Sequence, residues 1–197
     1  MYQIVKQCLD YILALFMTIA LSPVLLILAV IIKLDSPGPV LFKQKRIGKN
    51  NTTFDIYKFR TMYTETPKDM PTHLFTDAQS FITRIGKLLR KSSLDELPQL
   101  FNILKGEMSF IGPRPALWNQ FDLIDAREQA GANSVKPGIT GWAQINGRDE
   151  ISIEEKTEYD RYYVNHLSFT LDLRILIRTF TTVLTARGVA EGGPKAK

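Results

Sequence analysis

At 197 residues the chain has room for one membrane segment plus one compact domain of ordinary size. A formal net charge of +5 and a sequence pI near 9.3 suit an anionic membrane face or phosphorylated substrates. Nucleic acid is disfavoured, since there is no zinc-ligand pattern, RNP-like aromatic stretch or long basic run, and the single Cys8 argues against a disulfide framework.

The first element is apolar. Ile12 to Ile32 carries no charged residue, and its only polar side chains are Thr18 and Ser22. About 20 apolar residues span a bilayer core of roughly 30 Å, and no small-x-small site closes the run as in a signal peptide. Ser22-Pro23 interrupts it: Pro23 cannot donate to the Ile19 carbonyl, and Ser22 is expected to bond back to the Thr18 carbonyl. Arms of about ten residues would each rise roughly 15 Å, so a hairpin entering and leaving by one face competes with a kinked helix that spans. General frequency of proline in spanning helices favours the kinked span. Lys33, Lys43, Lys45, Arg46 and Lys49 place the polypeptide after Ile32 on the cytoplasmic side.

Asp35-Ser36-Pro37-Gly38-Pro39 is a turn-forming exit. Val40 to Arg46 and Thr53 to Met62 read as two strands of a hairpin around Gly48-Lys49-Asn50-Asn51, and Tyr63 to Pro71 as a loop. Thr76-x-x-Gln79 is expected to open a basic amphipathic helix bearing Phe81, Ile82, Ile85, Leu88 and Leu89, which suits either a membrane interface or a domain core.

Next along the chain come Ser92-Ser93-Leu94-Asp95-Glu96-Leu97-Pro98-Gln99-Leu100 and Gly112-Pro113-Arg114-Pro115. Carboxylates beside cations suit phosphate transfer: Asp95 and Glu96 can hold Mg²⁺ or attack phosphorus, while Arg90, Lys91 and Arg114 neutralise anionic oxygens. A plainer alternative is a capping box, Ser93 to Glu96, or Asp95 as N-cap with Pro98 among the orphaned N–H positions. Either way the pair is expected at a helix N-terminus, and on this segment alone the capping and chemical readings stand even.

Pro137 to Arg148 is glycine-punctuated, with a short strand and an Asn-Gly turn from which Arg148 could reach a phosphate or sit as an isolated surface cation. Ser152-x-x-Glu155 opens a helix toward His166, Leu171 to Arg187 is a third long helix, and the chain after Gly188 is a polar tail. There is no P-loop, no dinucleotide fingerprint and no D-x-D triplet. His73 and His166 are the only histidines, which disfavours a His-based metal site or hydrolase.

The ordered set of motifs resembles the small monotopic phosphoglycosyl transferases, the bacterial sugar transferase family. It comprises Ser22-Pro23, Tyr57-Lys58-Phe59-Arg60-Thr61-Met62, Ser93 to Leu100, Gly112-Pro113-Arg114-Pro115 and Pro137-Gly138-Ile139-Thr140-Gly141. The match runs from the N-terminus to about Arg187, with no departure at these positions, and is similar to the minimal catalytic form of the family.

The resemblance implies an α+β fold with a re-entrant helix–break–helix, overturning the spanning preference. Residues 1–34 would form that membrane unit and 35–187 one catalytic domain, with a small β-hairpin and several amphipathic or interfacial helices; 188–197 would be a flexible tail. It implies transfer of a sugar-1-phosphate from a UDP-sugar to undecaprenyl phosphate with release of UMP, on the cytoplasmic face of the bacterial inner membrane, ahead of downstream glycosyltransferases. Asp95 would be nucleophile and Mg²⁺ ligand and Glu96 its partner; Arg90, Arg114 and Arg148 would bind phosphate, and Lys58 would lie in the site. A CDP-alcohol-type transferase and a non-enzymatic anchored scaffold are the rival readings. The first is disfavoured because neither several spans nor an Asp-rich helix is visible. Neither the sugar nor the glycan pathway is legible.

Overall fold

In the computed structural model, which describes residues 2–67, 78–147 and 151–185, the apolar N-terminus forms two helices. These are α1 (Tyr2–Ala20) and α2 (Ser22–Asp35), broken at Leu21. The break falls where expected, but the arms are 19 and 14 residues rather than about ten, rising roughly 28 and 21 Å. Polar residues outside the apolar run are absorbed because Tyr2, Lys6 and Asp10 find partners in the domain. By length and composition α1 alone could cross a membrane, so the half-thickness argument from short arms does not hold.

The hinge itself is explained by one vacated acceptor. Ser22 Oγ donates at 2.8 Å to the Ile19 carbonyl, the group that Pro23 cannot serve, and not to the Thr18 carbonyl as expected. Leu21 N–H to Met17 O and Leu25 N–H to Leu21 O, both 2.8 Å, carry the helical ladder past the break.

Both ends of this unit are tied to the rest of the chain. Near the start of α1, the Tyr2 hydroxyl donates to Asp172 and Lys6 Nζ lies 2.8 Å from the same carboxylate. At the end of α2, Asp35 accepts from the Ile85 N–H at 3.3 Å. Between these ends, Ile12, Phe16, Leu26 and Ile27 remain mostly exposed.

β1 (Leu41–Ile47) and β2 (Thr53–Phe59) form the expected antiparallel hairpin, with Lys43 opposite Tyr57 and Ile47 opposite Thr53. β2 ends at Phe59 rather than Met62, because Arg60 turns to the exit of α2. Its guanidinium donates to Ser36 Oγ, Ser36 O, Pro37 O and Pro39 O at 2.6–3.0 Å. The basic helix expected from Thr76 instead begins later, as α3 (Arg84–Ser92). Thr83 is its N-cap, accepting from the Gly86 N–H at 2.9 Å, and Ile82 is extended in a bridge to Met62. Gly86 is required there: a Cβ would lie 2.1 Å from the Thr61 carbonyl oxygen.

α4 (Gln99–Leu104) precedes β3 (Ser109–Ile111), which pairs in parallel with β4 (Gly138–Thr140). Between these strands lies α5 (Phe121–Gln129), unforeseen in the sequence because its apolar periodicity is weak. After β4 come α6 (Trp142–Ile145), α7 (Ile153–Asn165) and α8 (Phe169–Thr185). α7 starts with the expected capping box, Ser152 and Glu155 bonding reciprocally. One core cluster joins Ala14 of α1, Phe54 and Ile56 of β2, and Leu100 and Ile103 of α4. The mixed helix-and-strand domain thus packs directly on the apolar N-terminal helix. Thr76, Arg148, Arg187 and the tail expected over 188–197 lie outside the described residues.

Candidate active site

Asp95 and Glu96 do not start an α-helix. Ser93 ends α3 in the left-handed region (φ 58°), its N–H donating to the Arg90 carbonyl, and it makes no side-chain cap bond. Leu94–Glu96 then forms a single 3-10 turn, and α4 begins only at Gln99 behind Pro98. Bonds between residues three apart run through this stretch: Glu96 to Ser93, Leu97 to Leu94, Phe101 to Pro98. Pro98 lacks the N–H an α-helical ladder would need here. Both capping readings therefore give way, and the Glu96 carboxylate is engaged elsewhere. Lys58 Nζ of β2 donates to it at 2.7 Å, and Arg114 Nη1 lies 3.7 Å from the same oxygen.

The two carboxylates differ in setting. Glu96 is held by ion pairs, while Asp95 is pushed up to about 6 from the ordinary carboxylate range. Burial is the largest cause. The positive charge of Lys58 opposes it, the neighbouring Glu96 charge adds to it, and Arg90 and Arg114 oppose it more weakly. Lys58, Arg90 and Arg114 thus converge electrostatically on Asp95 from β2, the end of α3 and the loop after β3. Arg148, the remaining expected phosphate contact, lies outside the described residues.

Two buried polar groups set this geometry. Asn102 of α4 accepts from the Tyr57 N–H at 2.9 Å and donates to Asp55 O at 2.7 Å, fastening α4 to β2 beside Lys58. Arg127 of α5 donates to the Arg114 carbonyl at 2.8 Å and to Asp160 of α7 at 2.5 and 2.8 Å, fixing the loop that carries Arg114.

The model of the family described as "Bacterial sugar transferase" matches residues 1–186. This chain belongs to that family. A Bacillus subtilis relative named as the uncharacterized sugar transferase EpsL is 45% identical over 95% of this chain and 91% of its own length. An Aeromonas hydrophila relative, named UDP-N-acetylgalactosamine-undecaprenyl-phosphate N-acetylgalactosaminephosphotransferase, is 42% identical over 95% of this chain. An Escherichia coli relative, named UDP-glucose:undecaprenyl-phosphate glucose-1-phosphate transferase, is 39% identical over 90%. The chain spans nearly all of the first but 45% and 39% of the other two. The protein is therefore an enzyme of a transferase class.

For a bacterial sugar transferase, Asn102, Arg127 and Gln144 are the site-building residues that sequence reasoning passed over. Asn102 and Arg127 act through partners 45 to 47 and 13 to 33 positions away, which no local spacing announces. Gln144 sits in the glycine-punctuated segment and is buried, with neither amide oxygen nor nitrogen finding a hydrogen-bond partner. It lines a cavity of about 220 Å³ that reaches Glu96. No group of three His, Cys, Asp or Glu side chains that could hold a metal ion occurs among the described residues. The donors present, Asp95 with Glu96 beside it, are hard oxygens. One or two carboxylates completed by phosphate oxygens and water are what Mg²⁺ takes.

Proposed function

We propose that this enzyme transfers a sugar-1-phosphate from a UDP-sugar to undecaprenyl phosphate, releasing UMP, through a covalent phosphosugar on Asp95. The observation that carries this reading is the half-buried Asp95 carboxyl, apart from the Lys58–Glu96 pair yet under the field of Lys58, Arg90 and Arg114. The names of the relatives support the substrates.

An Asp95 oxygen attacks the phosphorus that bears the sugar. The bond from that phosphorus to the bridging oxygen breaks, and UMP departs with the electron pair. A phosphate oxygen of the lipid then attacks the same phosphorus and frees the carboxylate. Splitting the transfer means that the anionic lipid need not approach an intact diphosphate. Glu96, by holding Lys58 at 2.7 Å, keeps that ammonium beside the reacting group, and Arg90 and Arg114 offset charge on the phosphoryl oxygens. Mg²⁺, held by Asp95, would supply further neutralisation of the diphosphate when bound.

The same reading makes residues 1–34 a re-entrant anchor, 35–187 the catalytic domain on the cytoplasmic face, and downstream glycosyltransferases the consumers of the product. Support for the anchor comes from its two ends: Tyr2 and Lys6 meet Asp172, and Asp35 meets α3, all within one domain. A span would put those ends roughly 30 Å apart on opposite faces.

The test is a panel of UDP-sugars assayed for UMP release with undecaprenyl phosphate, with an EDTA arm and intact-mass detection of a phosphosugar on Asp95 when lipid is withheld. One productive sugar, loss of UMP release in EDTA with recovery on Mg²⁺, and the adduct are expected. Turnover without any adduct would remove the covalent route, and no UMP from any sugar would remove the activity.

A further inference from the structure

The cavity beside the dyad is chemically lopsided. Its walls are largely apolar, with Met17, Leu100, Phe110 and Ile139 prominent, yet Glu96 lies at it and the buried amide of Gln144 lines it without a hydrogen-bond partner. An unsatisfied buried amide costs about 1–3 kcal/mol, so its retention points to a group that completes it in the working enzyme. The amide oxygen packs against Gly141, where a Cβ would lie 2.7 Å from it. The nitrogen, a donor, is then the end left to serve a ligand acceptor.

The mainly apolar wall suits a sugar ring poorly, because beside Glu96 and Gln144 only Ser93, Thr140 and Thr179 offer it polar groups. It fits an apolar chain with a polar acceptor at one end. Position agrees. Met17 lies on α1 just before the hinge and Thr179, also lining the cavity, on α8; both helices expose apolar side chains nearby, among them Phe16, Ile177 and Phe180. The cavity is thus lined both by these two helices and by Glu96.

We infer that this cavity seats the first isoprene units of the lipid acceptor, with the Gln144 amide donating to an oxygen of its phosphate. The inference rests on the acceptor being a polyprenyl phosphate. Its ligand chemistry, a phosphate on an apolar chain, is shared with bilayer phospholipids, and the experiment separates the two.

Wild-type protein in detergent micelles is irradiated with a farnesyl phosphate that carries a diazirine on its first isoprene. Labelling within residues 138–145 or at Phe110 is expected, with undecaprenyl phosphate competing and phosphatidylglycerol failing to compete. Label found only elsewhere, or equal competition by phosphatidylglycerol, would overturn the seat. In parallel, Gln144→Leu and Ile139→Trp are assayed with the UDP-sugar that wild type turns over. For Gln144→Leu the KM for undecaprenyl phosphate should rise about tenfold relative to any change in adduct formation on Asp95, the loss of one hydrogen bond to a charged group, and Ile139→Trp should raise it by filling the cavity. An unchanged KM in folded Gln144→Leu would leave the amide as a water-bound core group and overturn the seat. If wild type itself makes no UMP from lipid and UDP-sugar, the transfer reading falls; if it does and the label misses the cavity, only the seat falls.

Discussion

Two acid centres, Asp160 buried and Asp95 half-buried, are built on different plans. Asp160 of α7 has its own guanidinium: Arg127 gives its Oδ2 two hydrogen bonds and both side chains are almost completely enclosed, although Oδ1 finds no partner and burial raises this carboxyl too. Asp95 shares its cations. Lys58 makes its contact with Glu96, Arg114 lies 3.7 Å from Glu96, and the Glu96 charge pushes the Asp95 carboxyl up further. A closed pair fixes structure, whereas a half-buried carboxylate whose neighbouring lysine is engaged by Glu96 is open to take a cation or to bond an electrophile. The two are also connected, since Arg127 holds the carbonyl of Arg114.

The comparison is sharpened most by Asp95→Asn. UMP release should fall roughly 10³-fold or more, because an amide cannot form the covalent intermediate. Thermal stability at pH 7 should hold or rise, since a partly desolvated charge disappears. Unfolding of the variant more than a few degrees below the wild-type temperature would assign Asp95 a structural role like that of Asp160.

Next in size is the structural pair. Arg127→Met should cost about 3–5 kcal/mol in denaturant unfolding, as it leaves Asp160 buried and uncompensated, and Arg127→Met with Asp160→Leu should recover much of that loss. A double variant no better than the single would show that the pair does more than neutralise itself.

Lys58→Met tests the site from its cationic side. The lost positive charge raises Asp95 further, so the acid limb of the activity profile should move to higher pH. A drop of about 10- to 100-fold at pH 7 is expected from removing a charged hydrogen-bond donor. A pH profile unmoved by the substitution would detach Lys58 from Asp95.

The smallest effect is in pH-dependent stability. A carboxyl raised to about 6 when folded, against 3.8 when unfolded, binds protons more tightly in the native state. Its contribution is complete below pH 4 and is lost as pH rises through about 6. Wild type should therefore lose stability between pH 4 and 7 relative to Asp95→Asn, measured by denaturant midpoints of both proteins across that range. Parallel curves would mean the acid is not raised.

Several features needed only local chemistry. The apolar run and its Ser22-Pro23 break, the β1–β2 hairpin and the Ser152–Glu155 cap all arise from neighbours a few positions apart, and each stands in the structure. The start of α3 at Arg84 is legible in principle from Thr83 as a cap, but the earlier Thr76-x-x-Gln79 spacing sets the boundary too far upstream. At Glu96 local chemistry misleads: the Ser93-x-x-Glu96 spacing has the form of a capping box, yet Lys58, 38 residues away, claims the carboxylate.

What the sequence by itself determined, then, is the apolar N-terminal segment, its break, the hairpin and the ordered motifs that mark the family. Each is written in residues close together along the chain, where backbone dihedrals, missing N–H groups and side-chain periodicity act directly. Only the tertiary structure decided that Glu96 is the carboxylate paired with Lys58 while Asp95 stands outside that pair. It alone brought Asn102, Arg127 and Gln144 to the site and returned both ends of the N-terminal unit to the same domain. Those outcomes depend on burial and on charges brought together across long stretches of chain, and neither exists until the chain has folded.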